Sequence, residues 1–193
     1  MTTGHSIRTI PILDSFASEV FMLVHQISDE RELTRHVAER LTALLSDGLT
    51  LPPEFTRPNP DRYVMYPLYV ADDGSFSIAS AVWNVGQDTP VHGHETWGVV
   101  GIHSGVEREV RYRKPAVRDI PLTAEGDYDW GPGQVTVCCT KDDDVHMVSC
   151  GSDVPCVGIH VYGADIGTLQ RRSYDPKTGE VEWFVSTWAL TDA

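Results

Sequence analysis

Apolar residues along this chain follow two different periods, and the change between them divides it. In the segment FASEVFMLVHQI apolar positions are spaced for a helix, with Asp14 and Ser15 placed to cap it. A second helix is predicted from Ser28 or Asp29, where Glu32 stands at capping-box distance behind Asp29. Leu33, Val37, Leu41, Leu44 and Leu45 form its apolar stripe, and Gly48 ends it. A stripe of this kind must pack on something, and the sheet that follows is the obvious partner.

Beyond the proline-broken LPPEFTRPNP the pattern becomes that of strands. RYVMYPLYV runs through the turn Asp72-Asp73-Gly74 into SFSIASAVW, where Phe76, Ile78 and Val82 share a face. Further strands are predicted at Thr96–Ile102, Glu107–Arg113, Val135–Thr140, Val145–Ser149 and Cys156–Tyr162. Asp175-Pro176-Lys177-Thr178-Gly179 turns a last hairpin between SY and EVEWFVSTW. Many short strands punctuated by 16 glycines and 12 prolines point to a β-sandwich or barrel. We expect one domain over 1–193, with a helical preface at 1–50 and the β-body at 62–193.

Composition narrows the functional classes. At 193 residues and 41 % hydrophobic the chain can bury a sizeable core. A net charge of −13 repels nucleic acid and anionic membrane, so neither is expected as a partner. The opening MTTGHSIRTIPILDSF lacks a signal-peptide pattern, and a cytoplasmic location is expected. Cys138, Cys139, Cys150 and Cys156 form no CxxC pair and are read as free thiols.

The candidate chemistry lies in histidines. His92 and His94 stand at i and i+2, so on an extended strand both imidazoles reach one side and one metal ion. Imidazole suits iron, zinc, copper and nickel. Of the others, His5 lies near the N-terminus, His25 and His36 fall on the helices, and His103 sits on the opposite alternation. His146, opening a strand after an acidic turn, is the best third ligand.

The spacing around the pair resembles the cupin superfamily. Gly86-x5-His92-x-His94-x3-Gly98-x6-Gly105 is similar to the first cupin motif, with Gly98 where many cupins carry a glutamate ligand. Gly126-x5-Pro132, Gly133 and His146 resemble the second motif with a longer gap. Within cupins the chain resembles thiol dioxygenases, the cysteine dioxygenases and more narrowly the bacterial 3-mercaptopropionate type. TPVHGHETWGVVGIHSGVE is similar to their TPVHDHxxWGxxGxxxGxE, VHMVSC to IHxVSN, and IHVYGADI to SIHVYG. The resemblance covers roughly Arg62 to the C-terminus.

That resemblance implies an all-β dominated cupin barrel (a double-stranded β-helix, jelly-roll-like) with N-terminal helices. It implies Fe(II) on His92, His94 and His146, with no carboxylate ligand. Neutral ligands leave the ion its full charge and about three open positions. It also implies an outer relay of His160 and Tyr162, with Gly158 where the family has serine. Two positions bear on the substrate. Met65 replaces the early arginine or glutamine, and Arg171, nine residues after Tyr162, matches the late arginine of the mercaptopropionate type. A guanidinium there suits a carboxylate, whereas Arg172 reads as a solvated strand residue. The tyrosine crosslink of animal cysteine dioxygenases is not expected, because its cysteine maps close to Gly98. Cys150 stands where the family has asparagine, and with Cys156 it is read as packing. The implied partners are a small thiol carboxylate and O2. Cysteine or another thiol as substrate, and a non-catalytic metal-binding cupin sensor, stay open as alternatives.

Overall fold

A computed structural model describes residues 10–113, 119–139 and 145–189. Two helices open the fold: α1 over Pro11–Gln26 and α2 over Glu30–Ser46. The first starts earlier than expected. Ile10 is its N-cap and Pro11 its first residue, so Asp14 lies inside the first turn and caps nothing. A proline with its fixed φ and missing N–H suits that first position better than any side-chain cap further on. The second behaves as expected, the Asp29 carboxylate accepting from the Glu32 N–H at 2.8 Å. Gly48 follows its end at φ 81°, the left-handed conformation that glycine adopts freely.

The strands are β1 (Val64–Val70), β2 (Ser77–Trp83), β3 (Val91–His92), β4 (Gly98–Ser104), β5 (Glu107–Tyr112) and β6 (Ala124–Trp130). After them come β7 (Val135–Cys139), β8 (His146–Cys150), β9 (Cys156–Tyr162), β10 (Arg171–Tyr174) and β11 (Val181–Phe184). They form two antiparallel sheets ordered β1-β2-β9-β4-β7 and β11-β10-β3-β8-β5-β6. This is the expected all-β dominated cupin double-stranded β-helix.

The two helices cover the outer face of the five-stranded sheet. Val20, Val37 and Leu41 pack there with Ile78, Val82, Ile159 and Val161 in one apolar core. The helix comes close because Gly101 has no side chain. A Cβ there would stand 2.9 Å from Leu41 Cγ. Strands β2 and β9 are buried throughout, one face under the helices and the other toward the second sheet.

Three expectations need correction. Strand β6 was not anticipated, because AEGDYDW is an edge strand whose residues are mostly exposed and carry no apolar alternation. Strand β3 ends at His92, so His94 lies beyond it. The expected strand at Thr96–Ile102 begins at Gly98 instead. The expected Val135–Thr140 strand reaches Cys139, and Thr140 lies outside the described residues, as does His5. Among the described residues no helix is long and apolar enough to cross a membrane.

Candidate metal centre

His92 and His146 meet across the β3–β8 pair, where they are direct register partners. His94 joins them from the loop after β3. The turn that follows it puts Glu95 at φ 58°, an unusual conformation for a residue other than glycine. Its side chain is anchored by Arg172, whose Nε and Nη2 donate to the two carboxylate oxygens at 2.6 and 2.7 Å. Arg172 is therefore not the free solvated residue expected. It is a fork that holds the turn after His94.

The donor nitrogens of His92, His94 and His146 lie within 4.8 Å of one another, and all three residues are buried. Their state fits a metal. Burial, reinforced by His146 and Arg171, holds His92 well below the ordinary histidine range. Burial together with His92 and His146 does the same to His94. Neutral imidazoles are the form that ligates. The tautomers fit as well. His92 Nδ1 donates to the Pro90 carbonyl at 2.9 Å, and His146 Nδ1 donates to the Glu109 carboxylate at 2.8 Å. In both rings Nε2 is thereby left as the lone-pair nitrogen, the arrangement usual for histidine ligands.

Glu109 was not anticipated. It lies on β5 and also accepts from Trp130 Nε1 at 3.0 Å and Arg111 at 3.1 Å. Burial alone would raise its pKa, but the His146 hydrogen bond and the Arg111 guanidinium outweigh it and hold Glu109 at about 2. A signal was present in the sequence: Glu107 and Glu109 alternate with Arg108 on a predicted strand, so both carboxylates share one face.

Other expected site residues surround the same space. His160 Nδ1 lies 2.8 Å from the Tyr162 hydroxyl, and the Tyr162 ring stacks on His94 with centroids 5.2 Å apart. Met65 and Arg171 both line the cavity of about 20 Å³ that opens on the three histidines. Space on that scale holds about one water molecule. Arg171 is 2 % exposed. It donates to the Ser186 hydroxyl at 2.6 Å and lies 4.7 Å over the Phe184 ring. Its Nε and the indole Nε1 of Trp83, which also lines the cavity, are buried without a hydrogen-bond partner among the described residues. Ser186 and Trp83 were missed because nothing local distinguishes them.

Not every candidate reaches the centre. His25 lies on α1 beside Asp73 at 3.0 Å, and His36 faces Glu39 on α2 at 3.3 Å. His103 is on β4, where partial burial lowers its pKa. Cys156 is fully buried and Cys150 partly so; burial first, and Glu107 second, push the Cys156 thiol far up. That thiol is inert packing, as expected. A larger groove of about 570 Å³ runs between α2 and β7 and includes Arg31, Arg35 and Arg111, but no metal-site histidine lines it. The three clustered histidines line the smaller cavity instead.

No family model matches the sequence. Among solved structures the chain is similar to a double-stranded β-helix protein from Klebsiella pneumoniae at 12 % identity and a TM-score of 0.45, covering 73 % of this chain and 93 % of that one. It is similar to an RmlC-like cupin from Desulfovibrio desulfuricans at 20 % identity and a TM-score of 0.43, over 60 % of this chain and 95 % of that one. A cupin barrel protein from Salinispora arenicola matches at 14 % identity and a TM-score of 0.42, over 61 % and 87 % of the two chains.

Proposed function

We propose that this protein is a non-haem Fe(II) thiol dioxygenase that converts a small thiol carboxylate, 3-mercaptopropionate-like, to its sulfinate. Both atoms of O2 end on the sulfur, which is oxidised as dioxygen is reduced, so no further reductant is needed. The observation that carries this reading is a single cavity. In it Arg171, whose buried Nε has no hydrogen-bond partner among the described residues, lines the same space as the three clustered histidines. Iron held by His92, His94 and His146 would supply a cation that favours the thiolate and gathers sulfur and dioxygen on one centre.

The chain's own residues account for the rest. Arg171 offers its Nε to a carboxylate, and Ser186 holds the other side of the guanidinium still. Trp83 Nε1 is a second buried donor for the same small anion. Met65 contributes an apolar wall and no cation, which favours a substrate charged at the Arg171 end only. Tyr162 holds its phenol proton against His160 Nδ1. Buried Met65, Ala81 and Val148 keep bulk water away.

The test is oxygen uptake by Fe(II)-reconstituted protein across a thiol panel, with products identified by mass. We expect 3-mercaptopropionate-like thiols to give sulfinate with about one O2 consumed per product. Full iron occupancy with no thiol-dependent uptake across the panel refutes the reading. Tyr162→Phe should keep iron and lose about ten- to a thousand-fold in turnover, or consume oxygen without product.

A further inference from the structure

Two glutamates on β5 end on two different imidazoles. Glu109 orients the ligand His146, whereas Glu107 reaches His160, with Oε1 3.4 Å from Nε2. The opposite nitrogen, Nδ1, is 2.8 Å from the Tyr162 hydroxyl. Glu107 and His160 are 2 % and 3 % exposed, so bulk water does not compete for either. Gly158 makes this chain of groups possible. A Cβ at 158 would overlap Glu107 Oε1 and stand 2.6 Å from His160 Nε2. The carboxylate occupies the volume that any side chain at 158 would need.

We infer that Glu107 is a positioning residue that holds His160 in its Nε2–H tautomer and thereby makes Nδ1 the acceptor of the Tyr162 proton. A carboxylate only accepts, so the nitrogen facing it must carry the hydrogen. A neutral imidazole has one N–H, which leaves the Nδ1 lone pair toward the phenol. The other tautomer would set a lone pair against the carboxylate and an N–H against Tyr162. The logic is that of a carboxylate–imidazole–hydroxyl chain, with a phenol as the terminal group. A hydroxyl in place of Glu107 would donate or accept equally well and would leave the tautomer open. The result is a Tyr162 O–H aimed at a fixed base while its ring lies against His94. The catalytic consequence rests on the proposed function; the tautomer is a property of the fold alone.

Long-range ¹H–¹⁵N correlation on histidine-labelled, full-length protein loaded with Zn(II) reads the tautomer directly. We expect His160, assigned by its loss in His160→Asn, to carry its proton on Nε2. Glu107→Ala should mix or reverse the tautomers. Gly158→Ala should do the same with Glu107 still present, because the new methyl displaces the carboxylate. Glu107→Gln, whose amide can accept or donate, should give a mixture of the two tautomers that still retains more Nε2–H than Glu107→Ala. In the iron-loaded protein, Glu107→Ala should lower kcat about ten- to a hundred-fold with KM within about twofold, and Gln should recover part. Wild-type His160 protonated on Nδ1, or Nε2–H unchanged in both Glu107→Ala and Gly158→Ala, overturns the inference. A tautomer that responds as described in a protein with no thiol oxidation sinks the proposed function and leaves the positioning role standing.

Discussion

The two faces of strand β9 make a controlled comparison within one backbone. Val157, Ile159 and Val161 point to the helices and join the apolar core. Gly158, His160 and Tyr162 point between the sheets, where they meet Glu107, Trp83 and the metal-site histidines. Every one of these residues is buried. Burial by itself therefore does not separate stability from chemistry. The helix side gains about 1.5–3 kcal/mol for each large aliphatic chain removed from water. The inner side forgoes part of that gain and must satisfy each polar group, since a buried polar group without a partner costs about 1–3 kcal/mol. Most of those groups are satisfied by neighbours in the fold. Two that have no partner among the described residues, Arg171 Nε and Trp83 Nε1, belong to residues that line the cavity.

The comparison breaks most sharply if inner-face changes leave the metal in place. His146→Ala should remove stoichiometric iron altogether, measured as metal per chain after desalting against a chelator, because two ligands rarely hold Fe(II). Full occupancy in that variant would mean that the third ligand lies elsewhere. Next in size, Arg171→Ala should cost about 2–4 kcal/mol in kcat/KM for thiol carboxylates, with much smaller losses for neutral thiols. Lysine should recover only part, as it lacks the planar fork. Equal losses for charged and neutral thiols would make Arg171 structural.

Glu109→Gln sharpens the same side more gently. It keeps the shape but weakens the hydrogen bond to His146, so metal affinity should fall about 10- to 100-fold in a chelator competition. An unchanged affinity would reduce Glu109 to packing. The helix side should behave oppositely. Leu41→Ala beneath Gly101 should lower stability by about 2–5 kcal/mol in a denaturant titration while iron content and kcat at 25 °C stay at wild-type values. A Leu41→Ala protein that is fully stable but catalytically impaired would dissolve the distinction between the faces.

The same contrast explains how much could be read from the chain. The helix-side residues were legible because they repeat. The Leu33–Leu45 stripe and the Phe76, Ile78, Val82 face were anticipated and lie in the core or packed against it. The candidate ligands were legible through short spacing and motif, and the structure brings His92, His94 and His146 together. Ser186 carried no such repeat, and the alternation of Glu107 with Glu109 told only that they share a face, not what they meet. Their places depend on which strand lies beside which: β5 lies against β8, and Ser186 reaches Arg171 from beyond β11. Strand β6 escaped because exposed edge residues answer to water on most sides and keep no apolar alternation.

By itself, then, the sequence determined the features that depend on neighbours along the chain. The Asp29 cap, the left-handed Gly48, the strand alternation and the inward pairing of His160 with Tyr162 follow from local sterics and period. Tertiary structure alone decided what crosses between strands. It set His146 opposite His92, placed Arg171 over the Phe184 ring beside the cavity, and brought Glu107 into the space left by Gly158. Register between strands distant in sequence is chosen by the packing of whole sheets, which no local pattern encodes.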